Sequence, residues 1–151
     1  MEVHLITVGK LKDKNLEAIE NDYLKRIKNP KLKIHEVKAK AEKKDLEAQV
    51  VIKKIMDISK SEKSYIVALS EFGEEFYSPK FSSWITHKIE NFQHLIFVIG
   101  GAEGHGNALL EITQAKISLS KLTFPHKIAR ILFVEQFYRA LTIRDGHPYH
   151  N

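Results

Sequence analysis

Two stretches hold the residue types that do chemistry. Gly100, Gly101, Gly104 and Gly106 place four glycines within seven positions, directly after the apolar run LIFVI. The second stretch is residues 135–150, EQFYRALTIRDGHPYH, which mixes arginine, tyrosine and histidine. Glycines let backbone N–H groups approach a ligand with no side chain between them. The spacing excludes two phosphate loops: no Gly-Lys-Ser/Thr follows, and Leu109 stands where G-x-G-x-x-G needs its third glycine. Rings and guanidinium groups of the tail can stack on bases and hold phosphates. Among eight histidines, His147 and His150 lie three apart, but Pro148 interrupts them and no carboxylate cluster stands near, so no metal is expected. With no cysteine there is neither a disulfide nor a thiolate site. Ser70 lacks a nucleophile elbow, and Glu74 and Glu75 read as a solvated loop.

The elements that must position these residues follow from periodicity. Residues 95–99 are apolar without a break and read as a strand buried on both faces. In open α/β sheets ligands sit at the carboxyl ends of strands, which is where the glycine loop falls. Further strands are expected at 3–8, 32–37 (near an edge), 65–69 (central) and 116–120. Helices are expected at 13–28, 41–59, 78–91, 107–114 and 125–143, with Glu71 to Tyr77 a loop and the chain ending in a tail after Asp145-Gly146. Ser78-Pro79 supplies an N-cap and a first-turn proline, and Asn107 caps the short fourth helix. Strand and helix alternate five times, so the fold class is α/β, a mostly parallel sheet with helices on both faces, in one domain spanning 1–151.

The last helix carries apolar residues around nearly its whole circumference, among them Ile128, Ile131, Leu132, Phe133, Phe137, Leu141 and Ile143. A helix on one side of a sheet needs only a stripe. The surplus face points to a homodimer rather than to a helix wedged centrally in its own fold. Glu135 and Arg139 stand four apart in the favourable order for pairing. Charge is uneven: residues 1–60 carry a net +5, 61–120 a net −3 and 121–151 a net +3. A basic surface beside a small-molecule site suits a polyanion such as RNA, although solvated lysine-rich helix faces would look the same. No run approaches the ~20 apolar residues of a membrane span, and the N-terminus lacks a signal-peptide pattern, so a cytoplasmic protein is expected.

Three segments together go further. IGGAEG at 99–104, SLSKLTFPH at 118–126 and the stretch at 135–150 resemble, in order, the signature blocks of the RlmH (YbeA-type) branch of the SPOUT methyltransferases. The resemblance is nearly full-length. It implies a C-terminal trefoil (α/β) knot, a homodimer, and transfer of a methyl group from S-adenosyl-L-methionine to N3 of a pseudouridine in 23S ribosomal RNA, with assembled ribosomes as the better substrate. Carried over position by position, it implies a cofactor site at Leu69, Gly100, Leu119, Ser120, Lys121, Leu122, Thr123 and Phe124. It also implies that Arg139, Tyr149 and His150 position the target base, with His126, His147 and Glu103 as further candidates, the tail of one subunit meeting the cofactor site of the other. Two departures stand out: Ala102 where such proteins usually have proline, and Asn151 where they commonly end on a basic residue. A knotted methyltransferase acting on another RNA, such as transfer RNA, and a non-catalytic ribosome-binding protein are the alternative readings.

Overall fold

The computed structural model describes residues 1–40, 43–101 and 104–151. Five strands, β1 (Glu2–Val8), β2 (Leu32–Val37), β3 (Ser64–Glu75), β4 (His94–Ile99) and β5 (Ala115–Ser118), form one sheet of order β2-β1-β4-β3-β5. Every pairing is parallel. Five helices connect or follow them: α1 (Lys14–Arg26), α2 (Lys44–Ser59), α3 (Ser78–Asn91), α4 (Asn107–Ile112) and α5 (His126–Arg144). The tail is ordered as a 3-10 turn at Pro148–His150.

Side chains alternate across each strand, and this sorts the core into two layers. Leu95, Phe97 and Ile99 of β4 join Val3 and Leu5 of β1 beneath α1, α3 and α5. Ile96 and Val98 join Ile6 and Val8 beneath α2 and α4. All six residues of β4 are buried, as a central parallel strand requires. Phe97 meets Phe133 of α5 with ring centroids 4.6 Å apart. β2 lies at an edge as expected, and β3 is interior, paired with β4 on one side and β5 on the other.

Several boundaries move for identifiable reasons. Asp13 is not helical but caps α1, its Oδ1 accepting from the backbone N–H groups of Asn15 and Leu16 at 3.0 Å each. Tyr77, not Ser78, is the cap of α3, because the Ser78 hydroxyl is engaged with Gln136 Oε1 of α5 at 2.9 Å. Gly106, not Asn107, precedes α4. The expected start of the second helix at Ala41 lies outside the described residues.

The largest departure is at 71–77, expected as a loop. β3 continues to Glu75 and pairs with β5 twice over: Leu69 and Glu74 both register on Ile117, and residues 70–73 bulge out between them. Gly73 permits this, since a Cβ there would lie 2.6 Å from the backbone carbons of Lys116 and Ile117. A bulge of this kind re-aims side chains at a sheet rim.

α5 is more central than its composition alone requires. Phe133, Val134, Phe137 and Leu141 are buried, and Ser82 donates to the Ala140 carbonyl at 2.6 Å. The surplus apolar face narrows to Ile128 and Leu132, 39% and 37% exposed. Arg130, also buried, donates twice to Glu20 of α1 (2.6 and 2.8 Å) and once to Glu36 of β2 (2.7 Å). One guanidinium thus ties α5 to α1 and to the sheet edge.

Candidate functional site

The carboxyl ends of β3, β4 and β5 open into a cavity of about 490 Å³. Each wall comes from a segment that leaves the sheet there. Leu69 ends the first part of β3, and the bulge behind it supplies Ser70, Glu71 and Phe72. Ile99 and Gly100 end β4. After β5, Leu119, Ser120, Leu122, Thr123 and Phe124 cross to α5, whose first turns add His126 and Ala129. Of the eight residues expected at a cofactor site, only Lys121 does not line the cavity. Its side chain is 85% exposed and its Nζ lies 3.7 Å from Glu75 Oε1.

The loop that joins these walls is shaped by its own backbone. Thr123 donates its hydroxyl proton to Glu71 Oε2, linking the β3 bulge to the segment after β5. Ser120 accepts the Leu122 N–H on its Oγ at 3.0 Å. A Cβ on Gly100 would lie 2.7 Å from the Gly104 carbonyl oxygen, and one on Gly106 would lie 2.8 Å from Ala48 Cβ. Gly104 has a φ of +82° and donates its N–H to the Gly101 carbonyl at 3.0 Å. These glycines therefore serve close packing of the loop on itself and on α2, as well as leaving room for a ligand. Ala102 and Glu103 lie outside the described residues.

His105 was not singled out by spacing. Its Nε2–H donates to the Leu69 carbonyl at 2.8 Å, which joins the glycine loop to the end of β3 and fixes the tautomer. Burial pushes its pKa down, only partly opposed by that hydrogen bond, so the ring is neutral. Its position between Gly104 and Gly106 is the one sequence signal for it.

The C-terminal residues form a second cluster. Glu135 Oε1 accepts from Arg139 Nε and Nη2 (3.0 and 2.6 Å) and from the Tyr149 hydroxyl (3.0 Å). Since Tyr149 donates there, Tyr23 of α1 is the donor in the 3.2 Å contact between the two phenols. Arg139 Nη1 reaches His150 Nδ1 at 3.0 Å, and its guanidinium lies 4.8 Å from the Tyr149 ring centroid. Burial first, then the hydrogen bonds with Tyr23 and Glu135, hold the Tyr149 phenol well above its ordinary pKa. Arg139, Tyr149 and His150 are thus brought together, with Glu135 as their common anchor, but none of them lines the cavity of its own chain. His126 does line it; His147 instead accepts the Tyr149 N–H at 3.2 Å.

Comparison with known proteins places this geometry. A family model described as "Predicted SPOUT methyltransferase" matches residues 1–150. A protein of Phocaeicola vulgatus named ribosomal RNA large subunit methyltransferase H is 35% identical, covering all of this chain and 99% of its own length. The Clostridium acetobutylicum protein of the same name is 40% identical, with 99% of each chain covered. Among solved structures, a probable methylase family protein from Haemophilus influenzae superposes with a TM-score of 0.60 at 9% identity, over 99% of this chain and 70% of that one. At that identity the superposition speaks for the fold.

Proposed function

The chain belongs to the SPOUT methyltransferase family, and from that membership we propose that it methylates N3 of a pseudouridine in 23S ribosomal RNA, with S-adenosylmethionine as donor. The observation that carries this reading is end-to-end similarity, at 33–40% identity, to proteins named ribosomal RNA large subunit methyltransferase H. The protein acts as a homodimer on assembled ribosomes in the cytoplasm, with the knotted C-terminal part of its family.

The cavity suits the donor. Its volume falls in the usual range for a small-molecule site, and apolar side chains line it beside Gly100, Gly101 and Gly104. Leu69, Leu119, Leu122 and Phe124 would flank the adenosine and the methionine chain, Gly100 would leave room for close approach, and Ser120 and Thr123 would supply polar contacts; Lys121 would contribute only backbone. Glu71 is the one acidic residue among the described lining residues, a favourable neighbour for a cation. When bound, S-adenosylmethionine supplies an electrophilic methyl group on a sulfonium.

The target nitrogen must give up its proton before it can accept that methyl. Arg139 is permanently cationic and favours the resulting anion, while Tyr149, kept protonated, adds no negative charge to oppose it. We assign to Arg139, Tyr149 and His150 of one protomer the positioning of the base at the cavity of the other. Two features support this. The cluster does not line its own cavity, and the exposed Ile128 and Leu132 stand on α5 beside Ala129, which does. A partner that covers α5 therefore lies next to the site.

The test is methyl incorporation from labelled S-adenosylmethionine into assembled ribosomes, separate subunits and transfer RNA. We expect the label in large-subunit RNA, highest with assembled ribosomes; label in transfer RNA alone would overturn the reading. Replacing Tyr149 and His150 together by alanine should abolish transfer while calorimetry still shows cofactor binding, and unchanged turnover in that variant would remove the tail from the mechanism.

A further inference from the structure

At the amino end of the sheet, opposite the cavity, lies a group of titratable side chains that methyl transfer does not use. Glu2 and His4 begin β1, His94 begins β4, and Glu2 registers directly on His94. Alternation puts all three on the face of the sheet that packs under α2, where Ile6 and Ile96 continue the same rows. His4 and His94 are 3% and 5% exposed, whereas the Glu2 side chain is 41% exposed and leaves a way in from solvent.

Three atoms converge there. Glu2 Oε1 is 3.4 Å from His4 Nε2 and 3.4 Å from His94 Nδ1, and the two nitrogens are 3.4 Å from each other. Good hydrogen bonds to nitrogen span about 2.7–3.2 Å, so each side of this triangle is long for one. It is the right length for neighbouring ligands of one tetrahedral ion, which at zinc bond lengths of about 2.0–2.1 Å stand about 3.3–3.4 Å apart. We propose that Glu2 Oε1, His4 Nε2 and His94 Nδ1 bind one zinc ion, with the fourth position open to water.

The surroundings are those a zinc site needs. A ligating histidine is usually oriented through its other ring nitrogen. His4 Nδ1 meets His35 Nε2 at 2.9 Å, and His94 Nε2 faces Glu62 Oε1 at 3.5 Å. Lys33 donates to Glu2 Oε2, which turns Oε1 towards the histidines. Six side chains drawn from β1, β2, β4 and the turn before β3 therefore meet around one small volume. Two histidines and one carboxylate are a zinc donor set, and an ion there would pin β1 to β4 at the chain's start. The ligands stand at positions 2, 4 and 94, so no local spacing reveals them, and the inference runs against the expectation of no metal drawn from the tail.

The experiment uses the full chain without an affinity tag, stripped with chelator and titrated with zinc against a chromophoric competitor. One equivalent per chain should bind. Glu2→Gln, at a half-exposed position, should weaken binding at least about tenfold. His94→Gln should abolish it, and His147→Ala should leave it unchanged. Cobalt(II) in place of zinc should give the visible absorption of a four-coordinate ion, lost in Glu2→Gln. Far-UV circular dichroism and S-adenosylmethionine binding serve as controls for folding. If His94→Gln does not fold, Glu2→Gln decides alone. Failure to bind one equivalent, binding by Glu2→Gln within about threefold of the native chain, or loss of binding in His147→Ala would overturn the site. None of these results depends on the methyltransferase activity.

Discussion

Gly100 shows how one missing side chain sets a binding site. Its Cβ position is occupied by the Gly104 carbonyl at 2.7 Å, with His105 Nδ1 at 3.2 Å. Gly100→Ala must push the loop outward and disturb the His105 bond to the Leu69 carbonyl. We expect calorimetry to show S-adenosylmethionine affinity falling at least about tenfold, roughly 1.4 kcal/mol. Lys121→Ala, which removes a side chain directed away from the cavity towards Glu75, should change affinity less than about twofold. Equal losses in the two variants would mean that the donor does not occupy this cavity. Tyr149 makes a similar point about acidity. Its environment raises its pKa, so a pH–rate profile should owe no limb below its ordinary value to this phenol.

At the scale of elements, two features control the site. The β3 bulge carries Ser70, Glu71 and Phe72 out of the ladder to the cavity, then returns the strand to β5 at Glu74. α5 is seated by Arg130, whose charge burial opposes but the carboxylates of Glu20 and Glu36 more than restore. Removing one partner of a buried pair leaves the other charge uncompensated. Arg130→Met should therefore destabilise the fold by about 3–5 kcal/mol, measured by urea unfolding. A loss below about 1 kcal/mol would show that water reaches Glu20 readily. α5 also presents Ile128 and Leu132, so if the protein is the proposed homodimer, Leu132→Glu should shift sedimentation from dimer to monomer and, if the tail of one protomer serves the other, abolish methyl transfer with it.

For the whole molecule, the same network contributes to the response to acid. Burial would raise the Glu36 pKa, but hydrogen bonds from Arg130 and the Leu11 N–H outweigh it, and the folded value lies below the ordinary 4.5. The unfolded chain therefore binds this proton more readily. The stability contributed is complete above pH about 4.5 and is lost as pH falls through the lower, folded value. Urea midpoints measured from pH 6 downward should fall in both the native chain and Glu36→Gln as buried histidines such as His105 take up protons on unfolding, and below about pH 4.5 the fall should be shallower in Glu36→Gln. Parallel curves for the two proteins would place the acid sensitivity elsewhere.

Much of this was legible in the sequence. The uninterrupted LIFVI run, the alternation at 3–8 and the helical spacings gave the α/β class, because burial on two faces or one leaves a local periodic trace. The order of the three motifs pointed to the family, and the Glu135–Arg139 spacing gave their ion pair. Tertiary structure alone decided the rest. That Lys121 turns away, that residues 70–73 leave the sheet, that His105 clasps Leu69 and that Glu2 and His4 meet His94 all depend on strands adjacent in space and remote in sequence. Parallel pairing creates such neighbours across intervening helices, and no periodicity within one strand records which partner will lie beside it.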